Sequence, residues 1–247
     1  MSDERIQREA EFHDHLYAHD REARAAAAKY YSVIDRCRDE YLERISTEVK
    51  GKRVLEYGCG PGGHAGALAA AGAHVTAIDI SPEALKQARK RLKPSIELLE
   101  MNAEAMTFEH ATFDLVCGTG VLHHLDLSKA FREISRVLRP GGRAVFIEPL
   151  GHNPVINLYR RLTPSMRSDD EHPLMMSDFE AADRIFASVD LSFYNLTTLA
   201  AVPLRKTKLF EPMSRALASF DDLVMARVPF ARRYAWNVLI DLRVAAA

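Results

Sequence analysis

Val54-Leu55-Glu56-Tyr57-Gly58-Cys59-Gly60-Pro61-Gly62-Gly63-His64 is the stretch that decides the fold. An apolar run from Arg53 to Tyr57 reads as a strand and enters a loop with glycines at 58, 60, 62 and 63. Glycine permits positive φ and a close backbone approach to a ligand, and the helix that follows turns its free N–H groups toward that ligand. The small residues Ala65 to Ala71 suit a helix packed closely on a strand. A second strand, His74 to Ile78, ends at Asp79, twenty-one positions after Gly58. A carboxylate about 20 residues downstream is placed to hydrogen-bond a ribose. The stretch therefore predicts a nucleoside site.

Outward from it, strands and helices keep alternating. Ser81-Pro82-Glu83 is a helix start, with Ser as N-cap, Pro in the first turn and Glu at the positive end of the dipole. That helix runs to about Leu92 and is broken by Pro94. Ile96 to Leu99 is a short strand leading into Glu100-Met101-Asn102-Ala103-Glu104. Phe113 to Cys117 is a stronger one, closed by Gly118-Thr119-Gly120. Helix 127–138 carries Leu127, Ala130, Phe131, Ile134, Val137 and Leu138 on one stripe, and Pro140-Gly141-Gly142 stops it. A fifth strand, Arg143 to Ile147, ends in Glu148-Pro149. This alternation implies βαβ units, a parallel sheet and right-handed crossovers. Ligands bind outside the carboxyl ends of such strands, so the glycine loop, Asp79, Asn102, Gly118–Gly120 and Glu148 should converge on one crevice.

The flanks are less regular. Residues 1–50 read as helical throughout, being charged, alanine-rich and free of glycine and proline. Phe12, Leu16 and Tyr17 share one face, and Tyr30, Ile34, Cys37 and Tyr41 another. Such a segment fits a helical extension on the main domain; the His13, His15, His19 cluster and the Tyr30-Tyr31 pair also fit a lid. His15 and His19 stand four apart, but no acidic or cysteine partner lies at useful spacing. Metal sites need three or four ligands, so no metal is expected. Residues 150–178 are proline-rich, with a polar stretch from Arg167 to His172. Leu191 to Leu199 is a strand candidate, Phe210 to Val228 an amphipathic helix, and Tyr234 to Val244 a last strand holding the only tryptophan, Trp236.

Composition narrows the functional classes. Apolar residues at 47% against 27% charged predict a packed core rather than disorder. A net charge of −1 gives no general attraction to nucleic acid or anionic membrane. Cys37, Cys59 and Cys117 cannot all pair and lack metal-ligand spacing, which fits a reducing compartment. Met1 to Ala10 has no apolar core, and no run approaches the ~18 apolar residues of a membrane span, so a cytoplasmic protein is expected. With no linker apparent, the chain reads as one domain. It comprises an N-terminal helical lid or extension (1–50), a cofactor-binding core (51–150), and a substrate cap with the sheet edge (151–247).

Gly58-x-Gly60-x-x-Gly63 also satisfies the dinucleotide fingerprint of NAD-type oxidoreductases. Glu56 argues against that reading, because a dinucleotide fold keeps an apolar strand end there. His64 brings no basic help for a pyrophosphate, and the 113–117 strand and 138–142 turn are not part of that pattern. At these residues the chain instead resembles the class I S-adenosylmethionine-dependent methyltransferases, in particular the type 11 small-molecule group. Val54 to Gly62 resembles the family's first motif, Asp79 its ribose-binding acid, and Asn102-Ala103-Glu104 its adenine-side loop. Gly118-Thr119-Gly120-Val121-Leu122-His123-His124 resembles the segment beside the methionine moiety, and Leu138-Arg139-Pro140-Gly141-Gly142 the turn before strand five. The resemblance is close over roughly 50–150 and one of layout elsewhere. It implies a Rossmann-like α/β fold with a seven-stranded, mostly parallel sheet of order 3-2-1-4-5-7-6 whose last strand is antiparallel. It also implies a cofactor site of Glu56, Gly58, Gly60, Gly62, Asp79, Ile80, Asn102, Ala103, Glu104, Gly118, Thr119 and Gly120. The family often has aspartate where Asn102 stands; the amide still accepts and donates.

A sulfonium-bound methyl is already activated, so such an enzyme mainly holds nucleophile, methyl carbon and sulfur in line. A general base is needed only for a protonated, weakly acidic nucleophile. His124, Glu148, His152 and His172 are the candidates, with His123 beside them; neighbours on a helix start point about 100° apart, so one of His123 and His124 should face the site. Apolar helix 210–228 and Met175-Met176 suggest a hydrophobic or aromatic small-molecule acceptor, bound by a monomer or homodimer. A nucleic-acid methyltransferase would need a basic groove, for which Arg160-Arg161 and Arg205-Lys206-x-Lys208 offer only patches. A cofactor-binding module without catalysis would keep every motif.

Overall fold

The computed structural model describes residues 2–19, 33–163, 168 and 170–246. Its centre is β1 (Arg53–Tyr57), where Val54 pairs in parallel with Val75 of β2 (His74–Asp79) and with Leu115 of β4 (Phe113–Thr119). With β3 (Glu97–Glu100), β5 (Leu138–Pro149), β6 (Ser188–Tyr194) and β7 (Asn237–Arg243), these form one seven-stranded sheet. The order is β3-β2-β1-β4-β5-β7-β6, with β7 antiparallel to both neighbours. The family resemblance implies this topology, and it is the one observed. β2 and β4 leave opposite edges of β1, so the chain reverses direction there and opens a crevice above the strand ends.

Side chains alternate across the strands, and both faces are covered, which is why Val54 to Tyr57 of β1 are all buried, Glu56 included. Val54, Val75, Leu115 and Val145 meet α2 (Asp35–Ser46), α3 (Ala65–Ala70) and α4 (Pro82–Arg91) through Cys37, Tyr41, Ile45, Leu68 and Leu85. Leu55, Tyr57, Val116 and Phe146 meet α5 (Leu127–Val137) and α7 (Phe179–Asp183) through Phe131, Ile134 and Phe179. α1 (Ser2–His19) lies over α4 rather than in either core. Tyr30-Tyr31 lie outside the described residues.

Several boundaries differ from the sequence expectation. The N-terminal region is not helical throughout: α2 stops at Ser46, and Glu48 and Gly51 take positive φ. Helix α5 ends at Val137, and Pro140-Gly141-Gly142 lies within β5, where Gly141 N donates to Ala245 O at 3.0 Å. β6 spans Ser188–Tyr194, and the next residue, Asn195, turns the chain with a positive φ. Its alternation of Ser, Asp and Ser with apolar residues is that of an exposed edge. α6 (Pro154–Leu162) was not expected at all. Pro154 starts it rather than breaking it, because Asn153 caps the helix by accepting from Val155 N and Ile156 N. The last strand is shorter than Tyr234–Val244, since residues 229–234 form a 3-10 turn and α8 (Phe210–Arg227) precedes it.

Phe131 is fully buried and meets Phe186 edge-to-face with centroids 6.1 Å apart. Phe131→Ala should destabilise the protein by about 3–5 kcal/mol in denaturant unfolding. A loss below about 1 kcal/mol would show that this layer is not packed as described.

Candidate active site

Three of the parallel strands, β1, β2 and β5, carry at or next to their last residue a carboxylate whose oxygens accept backbone N–H groups. Glu56, 2% exposed, accepts from His64 N and, at 2.8 Å, from Ala65 N, which holds the glycine loop down over β1. Burial raises its pKa to about 7, with the two N–H groups acting against the rise. Asp79 accepts from Ser81 N at 2.9 Å and Gly60 N at 2.7 Å. Burial raises its pKa as well. Glu148, on β5, accepts from Val121 N and Leu122 N at 2.9 Å each through Oε1, and its Oε2 lies 2.7 Å from His123 Nδ1.

A first cavity, about 730 Å³ of empty space counted together with its open mouth, lies above β1, β2 and β4. Of the expected cofactor residues, Gly58, Asp79, Ile80, Asn102, Ala103, Glu104, Thr119 and Gly120 line it. The other four shape it from behind. Glu56 caps α3, Gly62 packs against Leu92, and Gly118 sits where a Cβ would come within 2.6 Å of the Tyr57 carbonyl. Gly60 spends its N–H on Asp79. At Gly58 φ is +69°, and an added Cβ would come within 2.5 Å of Val121.

The residues present fit an adenosine-bearing cofactor. A carboxylate has about four lone-pair sites; Asp79 uses two on the backbone, leaving acceptors for a ribose diol at the cavity wall. Asn102 Oδ1 accepts from Glu104 N at 2.9 Å, and Tyr57 Oη donates to Ala103 O at 2.6 Å, so the loop beside the base is fixed. Ile80, Met101 and Leu125 make the adjoining surface apolar, as a purine requires. The lid side was only partly legible: Arg5, Ile6, Glu9, His13 and Tyr17 of α1 close the cavity. Asp14 accepts from Ser81 Oγ and from Glu83 N, while Arg5 pairs with Glu104, so α1 is fastened to the cavity rim.

A second, larger chamber of about 2130 Å³, open to solvent, adjoins the first and shares His13, Tyr17, Thr119, Gly120 and His124 with it. Its walls are mainly apolar and aromatic: Phe12, Leu16, Ile34, Ile156, Tyr159 and Trp236, with Arg38 and Arg160 at intervals. Both His123 and His124 line it, with ring centroids 4.2 Å apart, whereas the sequence expected one of them. The tight 3-10 turn at Leu122–His124 brings the two rings to the same side. Burial and the neighbouring His123 lower the pKa of His124. His152 and His172 line neither cavity. His152 Nε2 accepts from Met176 N at 3.3 Å, and His172 is exposed, contributing its backbone N–H to His123 O at 2.9 Å. Glu148 is fully buried and serves as the partner of His123 rather than as a base in the chamber.

Comparison with known proteins agrees with this geometry. A family model described as a methyltransferase domain matches residues 55–146. A demethylmenaquinone methyltransferase of Chlorobaculum tepidum is 43% identical over 44% of this chain and 46% of its own length. A ubiquinone biosynthesis O-methyltransferase of Methylocella silvestris is 32% identical over 72% of both chains. The chain thus spans about half the length of the demethylmenaquinone relatives it matches. A Haemonchus contortus phosphoethanolamine N-methyltransferase 2, solved with S-adenosyl-L-methionine, shares the fold at TM-score 0.64 and 17% identity, over 95% of this chain and 60% of that one. No helix among the described residues is long and apolar enough to cross a membrane.

Glu56 makes a pH-dependent contribution of known sign. Its folded pKa, about 7, lies above the ordinary 4.5, so the folded state holds the extra proton between those values. Its contribution to stability is complete below about pH 4.5 and is lost as pH rises through 7. The unfolding free energy of wild type relative to Glu56→Gln should therefore fall between pH 5 and pH 8. A difference that stays constant with pH would contradict the burial of this carboxyl.

Proposed function

The chain belongs to the class I S-adenosylmethionine-dependent methyltransferases, and from that premise we propose that it methylates a hydroxyl group on a small, largely apolar aromatic acceptor. The observation that carries the reading is the Glu148–His123 pair on the wall of the apolar chamber. When bound, the cofactor supplies an electrophilic sulfonium methyl. Asp79 accepts the ribose hydroxyls, the 102–104 loop meets the base, and Gly58, Thr119 and Gly120 let the backbone approach the methionine portion.

An acceptor hydroxyl is protonated at neutral pH and needs a base as the new bond forms. Glu148 engages Nδ1 of His123, which fixes the ring and leaves Nε2 to take that proton; Glu148 is thus a positioning residue. His124, at the passage between the cavities, contacts the acceptor or the cofactor edge. Phe12, Leu16, Tyr159 and Trp236 exclude water and hold an aromatic ring or an apolar tail. The name of the ubiquinone biosynthesis O-methyltransferase supports an oxygen acceptor, and that of the demethylmenaquinone methyltransferase an apolar small-molecule one. An acceptor as large as a nucleic acid would need a basic groove, whereas the aromatic chamber walls carry only Arg38, Arg160 and histidines.

Incubation with methyl-labelled cofactor and a panel of phenols, catechols, hydroquinols, amines and RNA should label hydroxylated aromatics bearing apolar substituents. His123→Gln should lower kcat about 10²–10⁴-fold with little change in cofactor affinity, and Glu148→Gln should lower it in the same direction. Label appearing in RNA or in amines alone, or full activity in His123→Gln, would overturn the reading.

A further inference from the structure

For a metal at His15 and His19 the sequence shows no acidic partner at useful spacing; the fold instead brings His13, Glu9 and His124 together. Glu9 stands one helical turn before His13 on α1, and both project toward the turn that carries His124. We propose that Glu9, His13 and His124 form a binding site for a divalent transition-metal ion of zinc-like preference, at the passage between the cofactor cavity and the chamber.

The spacing is the first argument. Glu9 Oε2 lies 3.5 Å from His13 Nε2 and 3.2 Å from His124 Nδ1. Ligand atoms about 2.0–2.1 Å from a tetrahedral Zn²⁺ stand roughly 3.3–3.4 Å from one another. Side-chain adjustment alone can therefore place an ion among the three atoms. Two imidazoles and a carboxylate are also an ordinary three-ligand set for zinc, leaving a fourth position for water.

The second argument is unmet polar demand. Glu9 is 4% exposed, and its buried Oε2 and the facing buried His124 Nδ1 meet each other at 3.2 Å, and Oε2 meets His13 Nε2 at 3.5 Å, without a well-aligned hydrogen bond to either atom. A buried carboxylate is costly unless a cation or donors compensate it. Among the described residues Glu9 has Ser168 Oγ on its other oxygen and the two imidazoles, with no Lys or Arg. Arg5, on the same cavity wall, is engaged by Glu104 and by the His124 carbonyl. A cation beside Oε2 satisfies both atoms at once.

His124 also belongs to a second cluster, with His123 and Glu171, but Glu148 already occupies one nitrogen of His123 there. An ion at the first site would tie α1 to the loop after β4 and so fasten the lid across the cofactor cavity. The assignment is independent of the acceptor's identity.

The test uses the full, tag-free chain after chelator treatment, titrated with Zn²⁺ by calorimetry and with Co²⁺ by visible absorption. One Zn²⁺ per chain and the intense visible bands of four-coordinate Co²⁺ are expected. Glu9→Gln, His13→Ala and His124→Ala should each weaken Zn²⁺ binding at least tenfold, while His15→Ala and Glu171→Gln keep it. His13 lies on α1, outside both cores, so its variant stays folded; circular dichroism without metal checks each protein. Absence of stoichiometric binding, or binding that survives both His13→Ala and Glu9→Gln, would overturn the site. Loss in Glu171→Gln with retention in Glu9→Gln would overturn it too, by moving the ion to the second cluster.

Discussion

Three buried carboxylates at the ends of parallel strands hold this structure's working face together. Glu56 on β1, Asp79 on β2 and Glu148 on β5 each accept two backbone N–H groups from loops that would otherwise have unpaired donors. Backbone N–H groups without partners are expensive to bury. The glycine loop, the start of α4 and the turn after β4 are thus tied to the sheet edge by charge-assisted hydrogen bonds. The cofactor cavity is the space these three tethers leave, and His123 faces the chamber because one tether also grips its ring.

This arrangement divides the labour between the parts of the chain. The strand ends and their loops, residues 55–146, match the family model and make the cofactor cavity. The chamber draws its walls from α1, α2, α6, the 198–204 turn and the start of β7, which lie largely outside that match. Substitutions in such walls would leave the tethers in place, because none of them contributes a strand-end carboxylate. In the reading proposed above, donor and acceptor are therefore recognised by separable surfaces that meet at Thr119, Gly120 and His124.

Sequence reading went far where local chemistry was dense. Strand alternation, the Ser81-Pro82 start and the Gly58 to Asp79 spacing all point to the observed elements, and the family resemblance implied the sheet order. It was weaker where a residue's role depends on a distant partner. Glu56 sits within the motif yet works beneath the loop, since its side chain points back to His64 and Ala65. His152 and His172 looked well placed after strand five, but one faces Met176 and the other faces solvent. Residues 150–178 read only as proline-rich, and the helix begun by Asn153 and Pro154 within them was not expected. Glu9 carried only its four-residue spacing to His13: its other partner, His124, lies more than a hundred residues away and meets it only when α1 crosses the cavity.

Asp79 is the residue on which cofactor binding turns, because it both anchors the glycine loop and receives the ribose in the proposed site. Calorimetric titration of S-adenosylhomocysteine into wild type and Asp79→Ala, with melting curves to confirm folding, addresses it directly. One site per chain is expected, with a loss of about 100-fold or more in the variant, from two charged hydrogen bonds worth roughly 3 kcal/mol together. Equal affinity in a folded Asp79→Ala protein would contradict this role for Asp79.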